Sequence, residues 1–375
     1  MTPGGSSVPA ARSALPWIAS QRDSLLRQRG HAWLLHGPSG LGQFDLALEL
    51  VRAWLCEQAG PAQDLRREEA GKDGKGAPTT TPACGSCTSC HAIDVYAHAD
   101  LLVLAPEVFL LAQGWPLSED AQKKIDNKER KPSKEIRVEA MRDCIEFCQR
   151  TSARGMGKAV LVYPAERMNG ITANALLKSL EEPAGDVRFV LATESAHQLL
   201  PTIRSRCVSH AMARPSDEQS LAWLVGQGQV QAQAERLLKA SGQRPQDALD
   251  WLQAGHDVAA WAQFPKAMQR GDVGSVKDWT VLELLKSLHK LCHDLMVQKV
   301  GGEPRYFNAD ELPATAPVSL QRLVQWSREL TLELRTAEHP FSPGLMQEAL
   351  VSQARLAMAV PVGRPGSQRV VGAND

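Results

Sequence analysis

The chain has 375 residues, and Lys+Arg and Asp+Glu each number 42, so the formal net charge is zero. This length accommodates two or three domains with separate cores, and the balanced charge gives no warrant for a nucleic-acid coat or a membrane-surface binder, leaving only a local basic face open. No stretch of 18 or more apolar residues occurs, and the start, MTPGGSSVPAARSALPW, has no apolar run behind basic residues, so a soluble cytoplasmic protein is expected.

In chain order, residues 1–14 read as a flexible start, and Ala32–His36 is an apolar run of the kind that forms a buried parallel strand. HGPSGLGQFDL, residues 36–46, follows it. This has the outline of the phosphate-binding pattern G-x-x-x-x-G-K-[ST], in which backbone N–H groups cradle phosphates, the lysine reaches the β and γ phosphates and the hydroxyl holds Mg²⁺. Gly37 and Gly42 keep the spacing, but Gln43 replaces the ammonium and Phe44 replaces the metal-binding oxygen. The loop is therefore read as degenerate, with no ATP expected at it. Phe44, Leu48, Val51 and Leu55 then recur at helical spacing and predict one apolar face.

Residues 58–82 are Gly, Pro, Thr and charge with Leu65 the sole large aliphatic, which predicts a flexible insertion. CGSCTSCH follows, placing Cys84, Cys87 and Cys90 at two-residue gaps, while Cys56 closes the preceding helix. Four thiolates satisfy a tetrahedral zinc site and leave no open position for water, so the metal would be structural. His91 is an alternative ligand, but its adjacency to Cys90 makes joint ligation awkward. An iron–sulfur run would need a fourth cysteine three residues on and then proline, where this chain has Asp94 and Val95. Cys144, Cys148, Cys207 and Cys292 lie in apolar contexts and are expected in cores.

Further strand-like runs fall at Leu101–Leu104, 159–163 and 188–192, separated by helical patterns, so a parallel α/β sheet is expected over 15–213. The lysine-rich residues 118–135 could touch phosphate, but a solvated loop is the favoured reading. In P-loop NTPases a second strand ends in an acid that holds Mg²⁺. Here that strand ends in Tyr163-Pro164, with no carboxylate before Glu166. Leu176, Leu177 and Leu180 predict a helix that Pro183 ends. Beyond residue 214 helical periodicity takes over, with Val281, Leu284, Leu288, Leu291 and Leu295 on one face and Leu320, Leu323, Trp326, Leu330 and Leu334 on another, as in a bundle or a subunit contact.

NALLKSLEEP, FVLATES and LLPTIRSRC, in that order, resemble the clamp-loader branch of the AAA+ proteins, and the four cysteines after the loop helix are similar to its zinc-binding module. The likeness is specific over most of residues 15–212 and weaker in TAEHPFSPGLMQEALVSQAR, which is similar to the family's collar. It implies an α/β domain then all-α domains: an AAA+ parallel-sheet, P-loop-type domain over 15–213 carrying a zinc module at 56–90, a small helical lid at 214–258, a helical collar for oligomerisation at 259–361, and a flexible tail at 362–375. It also implies a heteropentameric ring with clamp-loader ATPase subunits and a delta subunit, which places a sliding clamp on primed DNA in replication as part of the DNA polymerase III holoenzyme. No intrinsic ATPase is expected of this chain. The family's Ser-Arg-Cys signature falls on Ser205, Arg206 and Cys207, which implies that Arg206 is an arginine finger acting in trans. Without that motif Arg206 reads as a helix-end arginine capping carbonyls. Two departures stand out: the insertion before Cys84 is longer than the family's, and SGQRPQDALDWL puts Gln246 at the place of the sensor arginine, with Arg244 two residues away. An active clamp-loader ATPase and a zinc-dependent DNA-binding module are the rival readings.

Overall fold

The computed structural model describes residues 15–59, 81–314, 318–337 and 342–359, so the expected flexible start and tail and nearly all of the expected insertion lie outside the described residues. The described chain divides at Gln219/Ser220 into two compact units.

The first unit is built on one five-stranded sheet: β1 (Ala32–His36), β2 (Leu101–Leu104), β3 (Lys158–Val162), β4 (Val187–Thr193) and β5 (Val208–Ala211), in the order β2-β3-β4-β1-β5. Every pair is parallel, with Leu34 opposite both Leu191 and Ser209. Parallel neighbours require crossovers, and helices supply them. β3 is buried throughout and β4 nearly so, as their continuous apolar runs dictate. The edge strand β5, VSHA, is mostly exposed. It has no apolar run to announce it, and only its pairing with β1 makes it a strand.

Helix α1 (Ala19–Leu26) lies over α2 (Gln43–Leu55), which itself packs on β1, β3 and β4. Covered from both sides, α2 buries far more than the single face expected: Phe44, Leu46, Ala47, Leu50, Val51, Ala53, Trp54 and Leu55 are all buried, whereas Leu48 is half-buried. The short α3 (Thr88–Asp94) continues from the cysteine segment, and α4 (Glu107–Ala112) and α5 (Glu119–Asp126) follow β2. Residues 118–135 are thus partly helical and are pinned. The buried Glu107 carboxylate takes a two-pronged contact from Arg130, 2.6 Å at Nη2, and accepts the Ser133 N–H at 2.8 Å. Helices α6 (Val138–Gln149) and α7 (Gly170–Glu181) flank β3, and the four-residue α8 (Pro201–Arg204) leads into β5. Helix α7 stops two residues before Pro183, with Leu176 and Leu180 buried and Leu177 only partly so.

Helix α9 (Asp217–Gly226) carries the division between the units. The second unit is helical: α10 (Gln231–Ser241), α11 (Pro245–Gln253), α12 (Val258–Arg270), α13 (Val281–Lys299), α14 (Leu320–Thr336) and α15 (Pro343–Met358). A capping box at Thr280 and Glu283 starts α13. Leu284, Leu288, Leu291 and Leu295 of α13 and Leu323, Trp326 and Leu330 of α14 enter one core, while Val281 and Leu334 sit at its margin and Leu320 is exposed. Stacked rings thicken that core, with Trp261 4.5 Å from Phe307 and Phe264 5.3 Å from Trp279. The fully buried Asp294 accepts the N–H groups of Arg305, Tyr306 and Phe307 at 3.0, 2.7 and 2.9 Å, which fixes the segment after α13. Of the four remaining cysteines, Cys144, Cys148 and Cys292 are buried as expected, whereas Cys207, just before the edge strand, is half-exposed. No helix among the described residues is long and apolar enough to cross a membrane.

Candidate functional site

The glycine loop runs from the end of β1 to the start of α2, where a phosphate-binding loop belongs. Gly42 caps α2 in the left-handed region at φ 87°, where a side chain would be strained, and a Cβ there would come within 2.4 Å of Leu15 Cδ1, which would have to shift. Gln43 is buried, and its amide nitrogen donates to the carbonyls of Gly37 at 2.9 Å and Pro38 at 2.6 Å. The side chain in the lysine position therefore folds back and ties the loop to itself. Trp17 Nε1 adds a bond to the Leu41 carbonyl at 2.8 Å, and Leu15, Trp17 and Ile18 are buried.

Phe44 turns towards the sheet and meets Phe109 at 5.1 Å and Tyr163 at 5.4 Å, with Phe109 and Tyr163 also 5.1 Å apart. These three rings occupy the region between the loop helix and the ends of β2 and β3. Burial first, and Glu194 next, hold the Tyr163 phenol protonated, and it donates to Glu194 Oε1 at 2.8 Å. Glu166, the nearest carboxylate after the strand, accepts from Thr193 Oγ1 at 2.6 Å and from the Glu194 N–H at 3.1 Å. It is committed to the end of β4. Neither Phe109 nor Thr193 was legible as part of this site, because their meeting with Phe44 and Glu166 is a product of strand order.

Cys56, Cys84, Cys87 and Cys90 converge, with all four sulfurs within 4.8 Å of one another. Cys56 caps the end of α2 and Cys87 caps the start of α3, so two helix ends aim their thiols at one point. A tetrahedral site with metal–sulfur bonds of about 2.3 Å has sulfurs about 3.8 Å apart. Two pairs, Cys56–Cys87 and Cys84–Cys90, stand at 3.9 Å. Backbone N–H groups of Cys84, Ser86, Cys87 and Cys90 point at these sulfurs from 3.3–3.4 Å, an arrangement that favours thiolates. The Ser86 N–H and hydroxyl bring Cys84 down to about 6, while burial pushes Cys90 up to about 12. The donor set, its spacing and its N–H shell fit a four-coordinate metal. His91 is exposed and stands outside the cluster. Glu57, next to Cys56, accepts from Ser89 Oγ and Arg154 Nη1, both at 2.9 Å, which joins the cysteine segment to the loop before β3.

Arg206 lies just beyond α8, with its side chain 33% exposed. Its Nε donates to Glu181 Oε1 at 2.6 Å, its Nη2 contacts the same oxygen, and its Nη1 donates to the Thr202 carbonyl at 2.8 Å. The helix-end contact of an ordinary arginine and an ion pair to the last residue of α7 are therefore both present. Glu181, the last residue of α7, is a partner of Arg206 that sequence reasoning missed. The signal was an acid at a helix C-terminus, where the helix dipole disfavours it. Arg244 bonds the Ser241 carbonyl at 2.8 Å and pairs with Asp247 at 3.1 Å in the second unit.

A family profile described as "DNA polymerase III, delta subunit" matches residues 21–216. DNA polymerase III subunit delta' of Pseudomonas aeruginosa is 36% identical over 197 residues, 52% of this chain and 47% of that protein. The subunit of the same name from Escherichia coli K12 is 29% identical over 214 residues, 56% of this chain and 52% of that protein. The chain thus spans about half the length of the curated relatives it matches. Among solved structures, a DNA polymerase III gamma-subunit-related protein of Thermotoga maritima covers 92% of this chain, and this chain all of that one, at 16% identity and a TM-score of 0.41, too weak a likeness to carry weight. With its loop, strand ends and cysteine segment all inside the matched span, the chain belongs to the DNA polymerase III delta-subunit family, and its relatives there are delta-prime subunits.

Proposed function

We propose that this chain is a non-hydrolysing subunit of a bacterial replicative clamp loader. Its AAA+ domain sits in a heteropentameric ring beside the ATPase subunits and a delta subunit, with residues 214–258 as a lid and 259–361 as a collar. Through that ring it helps load the sliding clamp on primed DNA in the cytoplasm. Zinc on Cys56, Cys84, Cys87 and Cys90 is structural, since four protein ligands leave no position for a reacting water.

The observation that carries this reading is the Gln43 amide bonded to the carbonyls of Gly37 and Pro38. Phosphoryl transfer needs a cation and a metal-binding oxygen at this loop and an acid free to hold Mg²⁺. Here the first is a neutral amide already engaged, the second is a phenyl ring, and Glu166 is bound to Thr193. Arg206 is partly exposed, with its side chain 33% accessible, so a neighbouring subunit can reach it. A guanidinium placed against a γ-phosphate by a neighbour is worth about 10³–10⁵ in rate.

Replacing Arg206 by alanine in a ring reconstituted with motor subunits tests this. Clamp-stimulated ATP hydrolysis should fall steeply while the ring still assembles by gel filtration. Unchanged hydrolysis removes the finger, and ATP turnover by the purified chain alone removes the non-hydrolysing role.

A further inference from the structure

We infer that Glu181 is a positioning residue for Arg206, holding the guanidinium where a neighbouring subunit's nucleotide meets it. The inference rests on the trans-acting role proposed above for Arg206.

Arginine is long and rotamer-rich, and a cation contributes most to a transition state when it needs no reorganisation at the moment of reaction. Arg204 and Arg206 illustrate the difference. Arg204, two residues earlier, is exposed. Arg206 is gripped from two elements: Nε and Nη2 rest on Glu181 Oε1 of α7, and Nη1 rests on the Thr202 carbonyl of α8. Ser205 Oγ lies 3.4 Å from Nη1 as a looser fourth contact. A guanidinium has five N–H donors, so at least one terminal N–H remains for a phosphate oxygen.

The place of Glu181 supports the same conclusion. It ends α7, where the carbonyl end of the helix repels a carboxylate, so the residue is locally unfavourable without a cation beside it. With Glu181 48% exposed and Arg206 33% exposed, the pair is too wet to add much to fold stability. Its effect is on where the guanidinium stands, and displacements of about 1 Å in such groups can cost about 100-fold in rate.

The test is a double-mutant cycle in the reconstituted ring, reading clamp-stimulated ATP hydrolysis for Glu181→Gln, Arg206→Ala and the pair. Glu181→Gln is expected to lower kcat about tenfold with KM for ATP nearly unchanged, and to have no further effect once Arg206 is alanine. Glu181→Asp should recover part of the loss, and ring assembly and the melting temperature of the chain should not move. If Arg206→Ala slows hydrolysis but Glu181→Gln does not, the positioning role is wrong and the finger stands. If Glu181→Gln speeds hydrolysis, the pair restrains the finger and the positioning role is also wrong. If Arg206→Ala itself changes nothing, the underlying reading fails. An equal loss from Glu181→Gln with and without Arg206 assigns Glu181 to something other than this arginine.

Discussion

Asp100, fully buried just before β2, accepts the Ala153 and Arg154 N–H groups at 2.8 and 2.9 Å and the Ser152 hydroxyl at 3.0 Å, with Lys158 Nζ 3.7 Å away. Burial alone would raise its pKa, but the two N–H groups, the hydroxyl and Lys158 together hold it below the ordinary carboxylate value. A depressed pKa contributes stability at pH above the unfolded value, about 3.9, and that stability is lost as pH falls through the folded value. Asp100→Asn leaves Lys158, itself buried, without its counter-charge and should cost about 3–5 kcal/mol at pH 7. Urea unfolding of both proteins at pH 7 and below pH 4 checks this, since the gap should narrow in acid; a gap independent of pH would contradict it. None of this was legible in the sequence, where Asp100 is one of 42 acids. Gly42 was legible, because the loop spacing demanded a glycine before the left-handed turn was seen.

At the scale of elements, four strands were read from apolar runs to within a residue at either end, because a strand covered on both faces has to be apolar throughout. β5 escaped because an edge strand is defined by its partner's hydrogen bonds, and VSHA carries no pattern of its own. Residues 118–135, read as a solvated loop, are largely exposed but include the helix Glu119–Asp126 and are pinned by Glu107, which lies before the segment and gives no local sign. The cysteine spacing was fully legible, since two-residue gaps already imply convergence of thiolates. Metal analysis should find about one zinc per chain, and a chelator should both release it and lower the melting temperature. Cys87→Ser should lose most of the metal, because its sulfur faces Cys56 and also accepts the Cys90 N–H. Iron in place of zinc, or a metal-free chain of unchanged melting temperature, would overturn the assignment.

For the whole molecule, the sequence announced a parallel α/β part followed by a helical part, because the change from four-residue apolar runs to a three-to-four-residue period is visible without coordinates. What it could not announce was what the side chains at the two altered loop positions do. The loss of lysine and hydroxyl reads as simple absence, whereas in the folded chain the Gln43 amide bonds the carbonyls of Gly37 and Pro38 and the Phe44 ring meets Phe109 and Tyr163. Restoring the motif letters is therefore expected to be insufficient. Gln43→Lys combined with Phe44→Thr should leave the purified chain with no ATP hydrolysis above background, because Phe109 and Tyr163 remain and Glu166 stays bound to Thr193. A colorimetric phosphate assay on the double variant would refute this by showing turnover.

Helix α2 starts at the Gly42 turn and ends one residue before its terminal thiol, Cys56, and its 13 residues measure about 20 Å. It is buried along most of its length, with Gly42 at one end and Cys56 at the other. The cysteine cluster and the glycine turn are therefore the two ends of one buried helix, so the segment that places Cys56 is the same one that starts at Gly42.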